Sequence, residues 1–164
     1  MPSIETTLQN LEPLSRRINT ASNELTHALE QIELRLNTLR IGVEVWADTP
    51  ISTSDYRSET NVDGDPTGAR SYQMIELGYG RLANGWGLIL RTRTFVETPI
   101  GNGLYDTDVY TGEIAEPTAL SGAPRTTRIK AVAILPELLQ MIEREGNAVI
   151  EQVEAGKKIA DSLR

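Results

Sequence analysis

The chain has 164 residues, 39% of them hydrophobic and 5% aromatic, with 16 Lys and Arg against 23 Asp and Glu for a net charge of −7. That balance speaks against a phosphate-binding surface, whose affinity comes from clustered cations, so no nucleic-acid partner is expected. Cysteine is absent, which removes disulfides, thiolate metal sites and thiol nucleophiles, and leans towards a cytoplasmic protein.

The first residues, Met1-Pro2-Ser3-Ile4-Glu5, lack the charged start and apolar run of a signal peptide. No apolar stretch nears the roughly 20 residues needed to span a bilayer, so no membrane is expected either. The length fits a single domain over residues 1–164. Its pattern divides it into a helical part (1–40), a sheet with long loops (41–135) and a second helical part (136–164).

From Ser15 to Leu39 apolar residues recur at alternating gaps of three and four: Ile18, Leu25, Leu29, Ile32, Leu36 and Leu39, with Ser22 as a polar interruption. This spacing places them in one seam along a helix. Ile4, Leu8 and Leu11 continue it towards the N-terminus, but Pro13 intervenes. An interior proline removes a backbone hydrogen bond and disfavours helix at Glu12. A short helix over 3–11 and a long one over 13–40 are therefore predicted, with Gly42 as the stop.

Ile41, Val43, Val45 and Ala47 then alternate with polar neighbours as a half-buried strand. Asp48 to Ser71 is polar, without apolar period, and reads as a long loop. Tyr72 to Leu82 and Trp86 to Val96 are the clearest strands; Asn84-Gly85 between them predicts a type I′ hairpin turn. Glu97 to Pro124 reads as a second long loop without Lys or Arg, with a short strand around Tyr105 to Tyr110. Alternation over Thr127 to Leu135 predicts a last strand, after which Pro136-Glu137 opens the final helix. Its seam is Leu135, Leu139, Ile142, Gly146, Val149, Val153, Gly156, Ala160 and Leu163.

The predicted fold class is α+β: an antiparallel β-sheet inserted between long N- and C-terminal helices that pair as an antiparallel coiled-coil-like stalk. In that pairing Ile18 lies near Gly156 and Leu29 near Gly146. Val43, Val45, Ile75, Leu77, Leu88, Leu90, Ile129, Ala131 and Ala133 would form the buried sheet face. Glu44, Trp46, Glu76, Arg91, Arg93, Arg128 and Lys130 would form the opposite one.

Chemistry-bearing patterns are sparse. His27 is the single histidine, so neither a His-based triad nor a multi-His metal site can be assembled. Gly78-Tyr79-Gly80-Arg81-Leu82-Ala83 imitates a dinucleotide fingerprint, but a second strand follows where the mechanism needs a helix. Asp63, Asp65, Thr67 and Gly68 match part of a calcium loop; Met74 stands where the closing Glu belongs. Asp106-Thr107-Asp108 is a second acidic pair of the same plain kind. No catalytic residue, cofactor or metal is assigned.

Leu77-Gly78-Tyr79-Gly80, then Asn84-Gly85-Trp86-Gly87-Leu88, then Pro136-Glu137-Leu138-Leu139 resembles a pattern in uncharacterised bacterial helix–sheet–helix proteins of no known function. The resemblance covers about a third of the chain and implies a bacterial or phage origin and a hairpin with a helix start, with no activity or site.

The functional expectation is a non-enzymatic interaction or scaffold module. It would self-associate as a homodimer through its long helices and meet a protein partner on the sheet or its loops. Trp46, Arg91 and Arg93 are the residue types that anchor interfaces. Met141, Ile150 and Ile159 widen the helical stripe beyond one partner's reach. The alternative is a small-ligand binder or carboxylate-based enzyme using the sheet edge and the acidic loops, with an Asp or Glu facing Arg91 or Arg93.

Overall fold

The N-terminal seam forms one uninterrupted helix, α1 (Ile4–Leu39), in a computed structural model that describes residues 4–60, 63–64, 66–99 and 107–162. The break expected at Pro13 does not occur. Strong helix formers flank the proline, and the Glu12–Arg16 ion pair spans it at 2.5 Å, so the helix absorbs one missing backbone donor. Arg40 ends the helix in the left-handed region at φ 53°, and Gly42 follows at φ 68°. The stop thus begins two residues before the glycine that predicted it.

Seven strands, all antiparallel, form one curled sheet among the described residues. They are β1 (Val45–Trp46), β2 (Ser52–Thr53), β3 (Arg57–Thr60), β4 (Pro66–Leu82), β5 (Gly85–Pro99), β6 (Thr107–Ile114) and β7 (Thr118–Ala119). The long β4–β5 hairpin is the spine, in register from Arg70↔Glu97 to Leu82↔Gly85. Along the free edge of β4 lie β1, β2 and β3 in turn. Along that of β5 lie β7 and β6. The stretches read as loops therefore supply edge strands. An edge strand exposes both faces, so it leaves no apolar alternation to read.

The hairpin turn is centred on Ala83-Asn84, not Asn84-Gly85. Among the described non-glycine residues only Arg40 has a positive φ, and Gly85 takes φ 130°. Asn84 is thus outside the left-handed region, which rules out type I′. The glycine relieves the twist one position later.

Thr127 to Leu135 is not a strand. It opens α2 (Arg125–Ser162), which also contains Pro136 in its interior. Alternation and helical period coincide over this short window, and length decides for the helix. Ala131, Ile134, Leu135, Leu138 and Ile142 form its buried stripe. Ile129 and Ala133, expected on the inner sheet face, are exposed helix positions. Arg128 and Lys130 likewise belong to α2 and not to the outer sheet face.

Both helices lie on one face of the sheet. Leu29 and Leu36 of α1 join the α2 stripe, Val45, Leu77, Tyr79, Leu88 and Leu90 of the sheet, Ala47 and Ile51 from loops, and Leu120 from a short 3-10 helix (Leu120–Gly122) in a single core. The helices run in the same sense. Near their starts Arg125 donates to Asn19 Oδ1 at 2.8 Å, and Arg128 donates to the Thr26 hydroxyl. Further on, a Cβ at Gly146 would lie 3.7 Å from Ile41, just past the end of α1. Gly146 therefore meets Ile41 and not Leu29, and Gly156 has nothing within 4 Å. The sheet offers each helix a broader apolar surface than the other helix does, so each packs on the sheet.

Candidate functional site

Strand alternation turns one side of the central hairpin away from the helices. There Glu76 sits opposite Arg91, Met74 opposite Arg93, Tyr72 opposite Phe95 and Gly78 opposite Ile89. Glu76 is 3% exposed. Its carboxylate accepts from Arg91 Nε at 2.6 Å and from Arg93. The Arg91 guanidinium lies 4.0 Å from the Trp46 ring centre, and Trp46 Nε1 donates to Glu44 at 3.1 Å. Two glycines make this arrangement possible. A Cβ at Gly78 would come within 2.5 Å of the Trp46 ring, and one at Gly80 within 2.6 Å of Ile89. The Leu77-Gly78-Tyr79-Gly80 sequence thus clears the outer face for an indole and an isoleucine.

The row continues past the ion cluster. Arg93 lies 5.0 Å from the Phe95 ring, Phe95 stacks on Tyr72 at 5.2 Å, and Tyr56 meets Tyr72 edge-on at 5.1 Å. Tyr56 donates to Glu97 at 2.9 Å, and this bond raises its pKa above the ordinary 10.0. The predicted anchors Trp46, Arg91 and Arg93 are therefore brought together, with Glu76 as their common partner. Tyr72 and Phe95 continue the alternation of Glu76 and of Arg91 and Arg93, a signal present in the sequence, whereas Tyr56 comes from a stretch without apolar period and gives none. Glu76 pairs with both guanidiniums, while Arg93 Nε is buried without a hydrogen-bond partner among the described residues.

A second set of contacts holds α1 to the sheet. The Glu33 carboxylate accepts from the Leu88 N–H at 3.2 Å, and Asn37 donates to the Trp86 carbonyl at 2.8 Å. Tyr79 donates to Asn37 Oδ1 at 2.8 Å. Burial, and after it the Glu33 charge, raise the Tyr79 pKa above 10.0. An open cleft of about 780 Å³ lies beside this cap, lined by Glu33, Arg81, Trp86 and Glu116 among others. Another of about 360 Å³ is lined by Ile41 and Val43 and by Gly146, Val149 and Ile150 of α2.

His27 is exposed, 3.8 Å from Glu30. Among the described residues no cluster of three or more His, Asp and Glu could hold a metal. Asp65 and Asp106 lie outside the described residues.

The third feature is the pair of helical arms. The α1 seam passes from the core at Leu36, Leu29 and Ser22 to Ile18, Leu14, Leu11, Leu8 and Ile4, which are 42–82% exposed. In α2, Val149, Ile150, Val153 and Ile159 are exposed, while Met141 packs against the core. Since the helices run in one sense, the two arms leave the body at opposite ends. No described helix is long and apolar enough to cross a membrane.

Compared with known protein families, curated proteins and solved structures, the chain matches none. Any functional reading therefore rests on this geometry.

Proposed function

We propose that this chain is a non-enzymatic interaction module that self-associates through its long helices. The observation that carries the reading is the α1 seam. One apolar row, interrupted by Ser22, runs along an unbroken helix; the core covers it from Ser22 to Leu36 and leaves it uncovered from Ile18 to Ile4. An isolated arm of that length is marginal as a helix in water, and contiguous exposed apolar surface marks an interaction site. Coiled-coil-like pairing of the helices accordingly belongs between chains, with a second copy as the natural supplier of the missing helix. The Trp46, Arg91 and Arg93 face is then free for a further protein partner.

Sedimentation velocity at micromolar concentration tests the reading. The expected species has about twice the 18.1 kDa chain mass. A monomer at every concentration rejects it.

A further inference from the structure

We propose that two copies join through the N-terminal arms of α1, running antiparallel about a two-fold axis beside Leu11. The inference rests on the self-association reading and adds the surface, the direction and the register.

The exposed row reads Ile4, Leu8, Leu11, Leu14, Ile18, at spacings of four, three, three and four residues. Residue types and spacings are the same in either direction. These positions span a stripe of roughly 120° on the helix, wide enough for one partner helix. Antiparallel superposition on Leu11 sets Ile4 against the second copy's Ile18 and Leu8 against its Leu14. Such a self-complementary patch is what an isologous two-fold interface requires. Glu5 lies in the first turn and Arg16 and Arg17 near the end of the arm, so along the axis each acidic start lies level with the other copy's basic end, off the apolar stripe.

Sterics exclude the parallel alternative. Beyond Ile18 the seam is already filled: Ser22 is buried, and Arg128 of α2 reaches Thr26 in the next turn. A parallel partner would have to continue into the space that α2 and the sheet occupy. An antiparallel partner leads away from the body and leaves the two sheets at opposite ends of the paired arms.

The absence of cysteine allows single nitroxide labels at introduced cysteines. Asn10 and Thr20 are both exposed. At about 1.5 Å per residue, superposition on Leu11 displaces the two labels of Asn10→Cys by roughly 3 Å along the axis and those of Thr20→Cys by roughly 27 Å. The expected pulsed electron–electron distances are short for Asn10→Cys and long for Thr20→Cys. Leu11→Asp is expected to abolish the dimer in sedimentation with the circular dichroism spectrum retained. Short distances at both sites mean parallel arms and overturn the inference. A dimer with long distances at both sites, or one that survives Leu11→Asp, places the interface elsewhere; it overturns the inference but leaves the self-association reading standing. A native monomer overturns both.

Discussion

The Glu33 carboxylate and the Leu88 N–H are hydrogen-bonded at 3.2 Å, so a helix side chain completes a strand. Leu88 stands on the stretch of β5 that neither β6 nor β7 covers. A backbone donor left there without an acceptor would cost as much as a lost hydrogen bond. Gly87 belongs to the same device, because a Cβ on it would lie 2.8 Å from Glu33 Oε1. Gly87→Ala is expected to displace the carboxylate and cost about 1.5–3 kcal/mol, the range of one hydrogen bond to a charged group. In a Glu33→Ala background the same change should cost far less. Urea unfolding of the double-mutant cycle measures that coupling; equal costs in both backgrounds would show that Glu33 does not govern the site.

Glu76 is shared by two arginines on a face where it is almost wholly enclosed. Glu76→Gln keeps the shape and removes the charge, leaving both guanidiniums without their counter-ion. Breaking a buried pair from one side costs about 3–5 kcal/mol; because Arg91 and Arg93 retain 21% and 29% exposure, the lower end is expected. Replacing all three by Leu and Met should recover most of the loss, and chemical denaturation reads both results. A neutral Glu76→Gln would mean that solvent already screens the cluster.

Ala131 and Ile129 separate the helix from the strand that alternation suggested. Ala131 is 0% exposed and Ile129 54%, on opposite sides of α2. Ala131→Asp should prevent stable folding, since it places an unpaired charge in the core. Ile129→Asp should shift stability by no more than about 0.5 kcal/mol, as surface changes do. Thermal melts distinguish the two, and similar penalties would return both residues to one inner face.

Glu137 ties α2 to the loop before β2, accepting from the Thr49 N–H at 2.9 Å. Hydrogen bonding from the Thr49 side chain, then from the Thr49 and Asp48 backbone, holds its pKa below 4.5. A lowered folded-state value stabilises above the unfolded pKa near 4.5 and is lost as pH falls through the folded one. Native melting temperature should therefore drop more steeply below pH 4.5 than that of Glu137→Gln. Parallel pH profiles would show that the contact contributes nothing in solution.

The sequence by itself determined the class of fold and its spine. Heptad spacing marked both long helices, and alternation with a nearby Gly marked the β4–β5 hairpin, because these signals lie within a single element. It also brought Trp46, Arg91 and Arg93 to attention as residue types. Only the tertiary structure decided that Thr127 to Leu135 is helical, that Asp48 to Ser71 also supplies edge strands, and that Glu76 draws Arg91 and Arg93 together. The same holds for the direction of the helices. A heptad seam states that a helix has an apolar stripe, and it is silent on what covers that stripe. Here the sheet covers the inner half of each helix, since it presents more apolar area than the other helix, and the two arms emerge at opposite ends with their seams uncovered.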